Sequence, residues 1–266
     1  MHCFAENVRS YRRTECGEMT DPRWLAHPQL DDMISLYKED SWYWISGIKF
    51  SEFMLGVERP VRLLLLKHKF AFPDSDDRHT RLEFVDADLE ALIADNAGMY
   101  GDFWWVDFFS RDSLAKLPLQ EFLELLYLKQ LGKPLTSSHF PTLQNHFVYI
   151  GHDDGWALQL WTDMPEQLVC ILAQVLSLKY VAFSGRRSYP KADEAIAKSL
   201  VARAEEGLCF DFRNVDAHTD SIPIYSVGAV KNSDDAERFA DEFIRSGQTK
   251  ERLVVAGEQW HHEFGS

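Results

Sequence analysis

FVYIGHDDGWALQLW, at residues 147–161, predicts a β-hairpin and thereby indicates the fold class of this chain. Residues 147–150 and 156–161 are rich in the aromatic and aliphatic side chains that favour strands. Between these runs, Gly151 and Gly155 flank a short polar turn, and glycine readily adopts the positive φ that hairpin turns require. We therefore expect two consecutive antiparallel strands at this place.

Helical patterns precede and follow the hairpin. Residues 118–131 are predicted to form a deeply buried helix, since Pro118 stands near its start, Gly132 follows its end and leucines occupy most of its sides. Asp163 and Glu166 have the spacing of a capping box, so we expect a second helix to begin directly after the hairpin. Shorter helices are predicted at residues 30–37, at residues 191–206 and from Ser233 onward.

Strand patterns occupy much of the remaining chain. The predicted strands are residues 103–109, 180–183, 209–212, 222–227 and 253–256, while the apolar run 61–66 fits a helix or a strand. This mixture predicts an α+β fold with a mixed or antiparallel sheet and several packed helices. We interpret residues 1–266 as a single globular unit, with a possible subdomain boundary at residues 132–140, where Gly, Pro, Ser and Thr gather.

Composition and charge argue against several classes of function. The 266 residues are 45% hydrophobic, as in soluble globular proteins, and 42 Asp and Glu against 28 Lys and Arg give a formal net charge of −14. An acidic surface repels a phosphate backbone, so nucleic acid is not expected as the main partner. We expect no membrane span, because the apolar runs are short, and no signal peptide, which together predict a cytoplasmic protein.

No group of side chains has the spacing of a known catalytic or metal site. Three clusters combine an imidazole with oxygen-bearing side chains: His152-Asp153-Asp154, His261-His262-Glu263 and Thr136-Ser137-Ser138-His139. Each is better explained as a polar turn or a chain end than as a site. Four cysteines form no CxxC pair and are interpreted as buried reduced thiols: Cys3, Cys16, Cys170 and Cys209. We therefore predict no catalytic residue, no metal and no cofactor.

Aromatic clusters and one acidic segment are the strongest candidates for a binding surface. Adjacent residues of a strand point to opposite faces, so the adjacent aromatic residues of Trp42-Tyr43-Trp44 and Trp104-Trp105 require either a sheet covered on both faces or an exposed anchor for a protein partner. The candidate anchors are Trp42, Trp44, Trp104 and Trp105. Residues 74–95 carry eight acids against two Arg, and their candidate acidic contacts are Asp74, Asp76 and Asp77.

Two functions from different classes fit these observations. The first is a non-catalytic, soluble protein-binding protein, for example a bacterial immunity or antitoxin-type inhibitor, that docks a basic partner through an acidic, aromatic-anchored surface. The alternative is an enzyme or small-ligand-binding domain with an anion site from Ser184 to Ser188, in which Arg186 and Arg187 bind the anion. In that alternative, the proton-transfer groups are His152, Asp153 or Asp154. The oligomeric state stays open.

Overall fold

A single antiparallel sheet forms the centre of the structure, a computed structural model that describes residues 32–57, 62–66, 82–85, 103–152, 156–185, 192–213, 215, 220–239, 242, 251–256 and 259–264. The eleven strands within these residues are β1 (Met33–Glu39), β2 (Trp42–Ser46), β3 (Arg62–Leu66), β4 (Leu82–Val85), β5 (Phe103–Phe108), β6 (Phe147–His152), β7 (Ala157–Thr162), β8 (Leu208–Asp211), β9 (Ser221–Ser226), β10 (Glu251–Ala256) and β11 (Gln259–Phe264). Their order is β11-β10-β9-β8-β1-β2-β7-β6-β5-β3-β4, and all neighbours are antiparallel.

The predicted hairpin is confirmed and lies in the interior of this sheet. β6 pairs with β7 from Phe147 to His152, while the turn at 153–155 lies outside the described residues. Asp107 on β5 fixes the start of β6, because its buried carboxylate accepts the N–H groups of His146 at 2.8 Å and Phe147 at 2.7 Å. A side-chain hydrogen bond thus supports the β5–β6 pairing in addition to the backbone ladder.

Helices cover both faces of the sheet, and the predicted α+β fold is confirmed. They are α1 (Phe50–Leu55), α2 (Arg111–Ala115), α3 (Leu119–Leu131), α4 (Pro165–Ser184), α5 (Glu194–Ala202) and α6 (Ser233–Phe239), with a 3₁₀ turn at Ala204–Glu206. The first face is covered by α1, α4 and α5, whose buried side chains join the main core. The second face is covered by α3 and α6.

The first face depends mainly on α4. Its residues Leu168, Leu172 and Leu176 are at most 4% exposed and belong to one core with Ile34 and Ile45 of the central strands. Each such side chain stabilises the fold by about 1.5–3 kcal/mol through burial. Contrary to the sequence-based expectation, α4 is apolar and long enough to cross a membrane by length and composition. One side of α4 is buried against the sheet, as in a core helix of a soluble protein.

Two predicted elements have the wrong type. The described part of residues 30–37 begins strand β1 instead of a helix, because antiparallel pairing with both β2 and β8 outweighs a helix-like spacing of apolar residues. Residues 180–183 continue α4 instead of forming a strand. Tyr180 is fully buried there and donates its hydroxyl hydrogen bond to Asp220 at 2.5 Å, and the helix ends at Gly185.

The predicted capping box at the start of α4 is also wrong. Pro165 occupies the first turn and Met164 is the N-cap residue, without a side-chain capping hydrogen bond. Asp163 instead lies 3.0 Å from His146 Nδ1, which ties the end of the hairpin to the residue before β6. Proline at the first helical position needs no N–H acceptor, so the helix begins without the predicted cap.

Gly47, directly after β2, is required by its backbone conformation and by its surroundings. Its φ is 74°, and a Cβ atom at this position would lie 1.8 Å from the Met33 carbonyl oxygen. Gly132, which ends α3, has a similar φ of 63°, but a Cβ atom there would meet nothing within 4 Å. Substitutions at these two positions therefore distinguish the cost of backbone strain, present at both, from the cost of steric overlap, present only at Gly47.

Gly47→Ala should lower the free energy of unfolding far more than Gly132→Ala. The Gly132 variant should lose about 1–2 kcal/mol, because only the left-handed backbone disfavours its side chain. The Gly47 variant must in addition displace the backbone of β1. Urea denaturation of both variants measures the difference, and equal losses would contradict the described packing at Gly47.

Candidate protein-binding surface

An apolar side of α3 faces solvent. Leu119 is 73% exposed, Leu123 54% and Phe122 36%, and the three recur at the spacing of one helix face. We call Leu119, Phe122 and Leu123 the α3 face. On the side that faces the sheet, Leu125 and Leu128 are completely buried in the second-face core. The helix itself is confirmed, but its predicted deep burial is wrong.

The acidic residues of α3 hold the helix in this orientation. Glu121 accepts the N–H of Thr142 at 3.2 Å and the hydroxyl of Thr142 at 2.7 Å. Glu124 accepts the hydroxyl of Thr136 at 2.8 Å. Both glutamates bind the segment that follows the helix, so the polar side of α3 meets protein and an apolar side meets water. A surface helix usually has the reverse arrangement.

One buried amide orders the segment after α3. Asn145 is fully buried, its Oδ1 accepts the Phe140 N–H at 2.7 Å, and its Nδ2 donates to the Ser138 carbonyl at 2.9 Å. His139 Nδ1 lies 3.3 Å from the Asn145 carbonyl oxygen. The hydroxyls of Thr136 and Ser137 and the imidazole of His139 are therefore part of a hydrogen-bonded turn that supports α3.

The four candidate tryptophans are divided between the faces of the sheet. Trp105 is fully buried on the first face and stacks on Phe50 with ring centroids 5.5 Å apart. Trp42 is buried in the second-face core, and Trp44 and Trp104 are half-buried. Coverage of both faces explains the adjacent aromatic residues. Burial removes Trp42 and Trp105 from any surface that a partner reaches.

The ring of Trp44 contacts His152 and Lys231. Its ring stacks on His152 with centroids 5.6 Å apart, and the Lys231 ammonium lies 5.7 Å from its centroid. Lys231 also lies 5.8 Å from the Tyr37 centroid and pairs with Glu39 at 2.7 Å. These cation–π and ionic contacts connect β1 and β2 to the segment before α6. His152 thus packs against an aromatic ring on the second face.

The remaining candidate residues divide into those outside the described residues and those at the end of α4. Outside lie Asp74, Asp76, Asp77, Asp153, Asp154, Arg186 and Arg187, together with Cys3 and Cys16. Ser184 and Gly185 end α4, so the candidate anion loop follows a helix C-terminus. The helix dipole is negative at that end and disfavours an anion. Sequence reasoning missed this because it placed a strand at residues 180–183.

His261, His262 and Glu263 belong to strand β11, which the sequence did not predict. His262 Nε2 lies 3.1 Å from Glu251, and Glu251 also accepts two hydrogen bonds from the Arg203 guanidinium at 2.6 Å and 2.9 Å. This ionic network joins β10 and β11 to the end of α5. Among the described residues, no three His, Cys, Asp or Glu side chains are arranged to hold a metal ion.

The two described cysteines have no disulfide. Cys209 is buried in β8, and its burial raises the pKa of its thiol to about 12, which keeps it protonated at neutral pH. Cys170 is half-buried on α4. A thiol with a raised pKa is a poor nucleophile, so Cys209 is a packing residue.

The Glu251 network should make stability sensitive to acid. Hydrogen bonds from Arg203 hold the pKa of Glu251 below its ordinary value. A carboxylate with a lowered folded-state pKa stabilises the fold above its unfolded-state pKa, and this stabilisation is lost as the pH falls through the folded-state pKa. Below about pH 4.3, the wild-type free energy of unfolding should therefore fall more steeply than that of Glu251→Gln.

Urea denaturation at a series of pH values measures this difference. Glu263→Gln removes an exposed carboxylate from the neighbouring strand and should retain the wild-type pH dependence. If Glu251→Gln retained the same acid dependence as the wild type, the proposed contribution of the network would be contradicted.

Neither a family model, nor a curated protein, nor a solved structure matches this chain.

Proposed function

We propose that this is a non-catalytic protein-binding protein whose α3 face contacts the partner. The supporting observation is the outward position of Leu119, Phe122 and Leu123. Covering apolar surface is favourable by about 25 cal/mol per Å², so a partner that buries these side chains gains affinity from them. Contiguous apolar surface with a polar rim is typical of contact sites on soluble proteins.

Further exposed apolar side chains occur close to α3 along the chain. Phe109 precedes α2, Leu131 ends α3 and Leu135 follows it, and each exposes half or more of its surface. Gln120 and Lys133 are exposed polar residues at the two ends of the helix. An apolar centre with polar ends matches the composition of protein interfaces, in which a few apolar or aromatic residues contribute most of the affinity.

A basic partner fits the overall charge of the chain. A net charge of −14 would attract a basic protein over distances comparable to the Debye length, and salt would weaken this attraction. A bacterial immunity or antitoxin-type inhibitor is one concrete protein of this kind, in which acidic groups face a basic active site. Asp74, Asp76 and Asp77 are the proposed acidic contacts.

The alternative function, an enzyme or small-ligand-binding domain, has less support. Its anion site at Arg186 and Arg187 would follow the C-terminus of α4, where the helix dipole opposes an anion. His152, one of its proposed proton-transfer groups, packs against Trp44. In contrast, a protein partner that covers the α3 face explains its exposed apolar side chains, and this function requires no anion site and no proton-transfer group.

Changing two residues of the α3 face should prevent capture of the partner. Phe122→Ser combined with Leu123→Ser removes exposed apolar surface, so folding should be retained while binding is lost. Affinity purification of the tagged chain from its source cells, followed by quantitative mass spectrometry, measures the captured proteins. Leu55→Ser is the matched control, since it removes an exposed leucine from α1 on the first face and should retain the partner.

A partner captured equally by the double variant and the wild type would overturn the assignment of the α3 face. Asp74→Asn, Asp76→Asn and Asp77→Asn in one variant separately test the basic partner. This variant should capture less partner at low salt, and its binding should depend less on salt than wild-type binding. Unchanged capture and salt dependence would exclude these three residues from the contact.

A further inference from the structure

We infer that Tyr37, Glu39 and Trp44 form a binding site for a lysine side chain of a partner protein, and that Lys231 of the same chain occupies this site in the structure. We call Tyr37, Glu39 and Trp44 the cation site. It shares no residue with the α3 face, and it rests on the proposed function only for the existence of a basic partner.

The pairing of β1 with β2 places the three side chains of the cation site together. Tyr37 and Trp44 are direct partners in the antiparallel ladder, so their side chains stand next to each other on one face of the sheet. Glu39 follows Tyr37 by two residues and therefore lies on the same face. Trp44 also stacks on His152, which restricts the position of its ring. The two strands thus form the site without the segment that carries Lys231.

The contacts of Lys231 show which chemical group the cation site accepts. Its ammonium lies 5.8 Å from the ring centroid of Tyr37 and 5.7 Å from that of Trp44, within the range of cation–π attraction. It donates hydrogen bonds to both carboxylate oxygens of Glu39, at 2.8 Å and 2.7 Å. A primary ammonium makes both kinds of contact, whereas a quaternary ammonium has no N–H to donate to Glu39. The site therefore fits an unmodified lysine.

The side chain of Lys231 is held less firmly than its backbone. The Lys231 N–H donates to the Asp235 carboxylate at 3.0 Å, and the preceding Val230 is buried in an apolar cluster with Ala236 of α6. The side chains of Lys231 and Glu39, in contrast, expose 33% and 47% of their surface. Surface ion pairs and exposed cation–π contacts are individually weak, so another ammonium can displace this one while the backbone stays in place.

Charge favours a lysine as the incoming group. Glu39 and the adjacent Asp40 are both exposed. The chain as a whole carries −14, so it attracts a basic partner, which presents lysines. Because Lys231 occupies the site, a partner lysine must displace it. Lys231 is therefore an internal competitor that lowers the apparent affinity for the incoming lysine.

Titration of the full-length chain with a lysine probe tests this inference. The probe is N-α-acetyllysine N-methylamide, whose ammonium is its only charge. The measurement is the shift of the Trp44 indole N–H signal in NMR spectra, assigned with Trp44→Phe. Lys231→Ala empties the site and should bind the probe about tenfold more tightly than the wild type, because the internal competitor is gone. Lys231→Gln, which also lacks the charge, should shift the affinity in the same direction.

Lys38→Ala is the matched control. The Lys38 ammonium also lies over an aromatic ring, 6.0 Å from the Tyr43 centroid, and pairs with Glu205 at 3.3 Å. Lys38 lies between Tyr37 and Glu39 in β1, so its side chain is on the opposite face of the sheet from the cation site. Lys38→Ala should therefore bind the probe like the wild type.

Two further titrations identify the group that binds. Adding Glu39→Gln to Lys231→Ala should weaken probe binding about fivefold, because the carboxylate no longer accepts from the ammonium. The ε-trimethyl form of the probe should bind Lys231→Ala more weakly than the unmodified probe. Tighter binding of the trimethyl form, or an affinity that Glu39→Gln does not change, would overturn the assignment to an unmodified lysine.

Equal affinity of Lys231→Ala and the wild type, or no binding by either, would overturn the cation site. The proposed function would then still stand, since capture through Phe122 and Leu123 tests it separately. In that capture experiment, Lys231→Ala should retain more partner than the wild type, and adding Glu39→Gln should reverse the gain. Capture that depends on Phe122 and Leu123 but on neither Lys231 nor Glu39 would overturn a partner lysine as the occupant.

Discussion

Burial of the central strands on both faces is the constraint on which the rest of this structure depends. Along β5 and β6, Trp105 and Tyr149 point into the first-face core, whereas Val106 and Val148 point into the second. A sheet with apolar side chains on both faces is stable in water only when both faces are covered. On the first face, α4 provides this cover with a continuous buried side.

The second face is covered by a smaller apolar cluster, and side-chain hydrogen bonds attach its helix α3. α3 inserts Leu125 and Leu128 into the core, while Glu121 and Glu124 bind the segment that follows the helix. Since the polar side of the helix is used for attachment, the remaining apolar side chains are left in water. The arrangement that completes the second face therefore also produces the α3 face.

The sequence predicted features that depend on neighbouring residues and missed those that depend on distant ones. The 147–161 hairpin and both ends of α3 follow from local turn and capping residues, and the structure confirms them. The orientation of α3 does not follow from local residues, because leucines on most sides of the helix define no single apolar stripe. Glu121 and Glu124, the two acidic residues of this apolar helix, were the signal in the sequence that could have indicated its orientation. β1 was mistaken for a helix because its pairing with β8 joins residues far apart in the chain.

Thiol labelling at two positions of α3 tests the central claim, the outward orientation of this face, most directly. Phe122→Cys and Leu125→Cys place a thiol at an exposed and at a completely buried position of the same helix, and wild-type labelling gives the background of the native cysteines. The Phe122→Cys thiol should react as an exposed thiol. The Leu125→Cys thiol should react only when the fold opens. Equal protection at both positions, or faster labelling at position 125, would contradict the account.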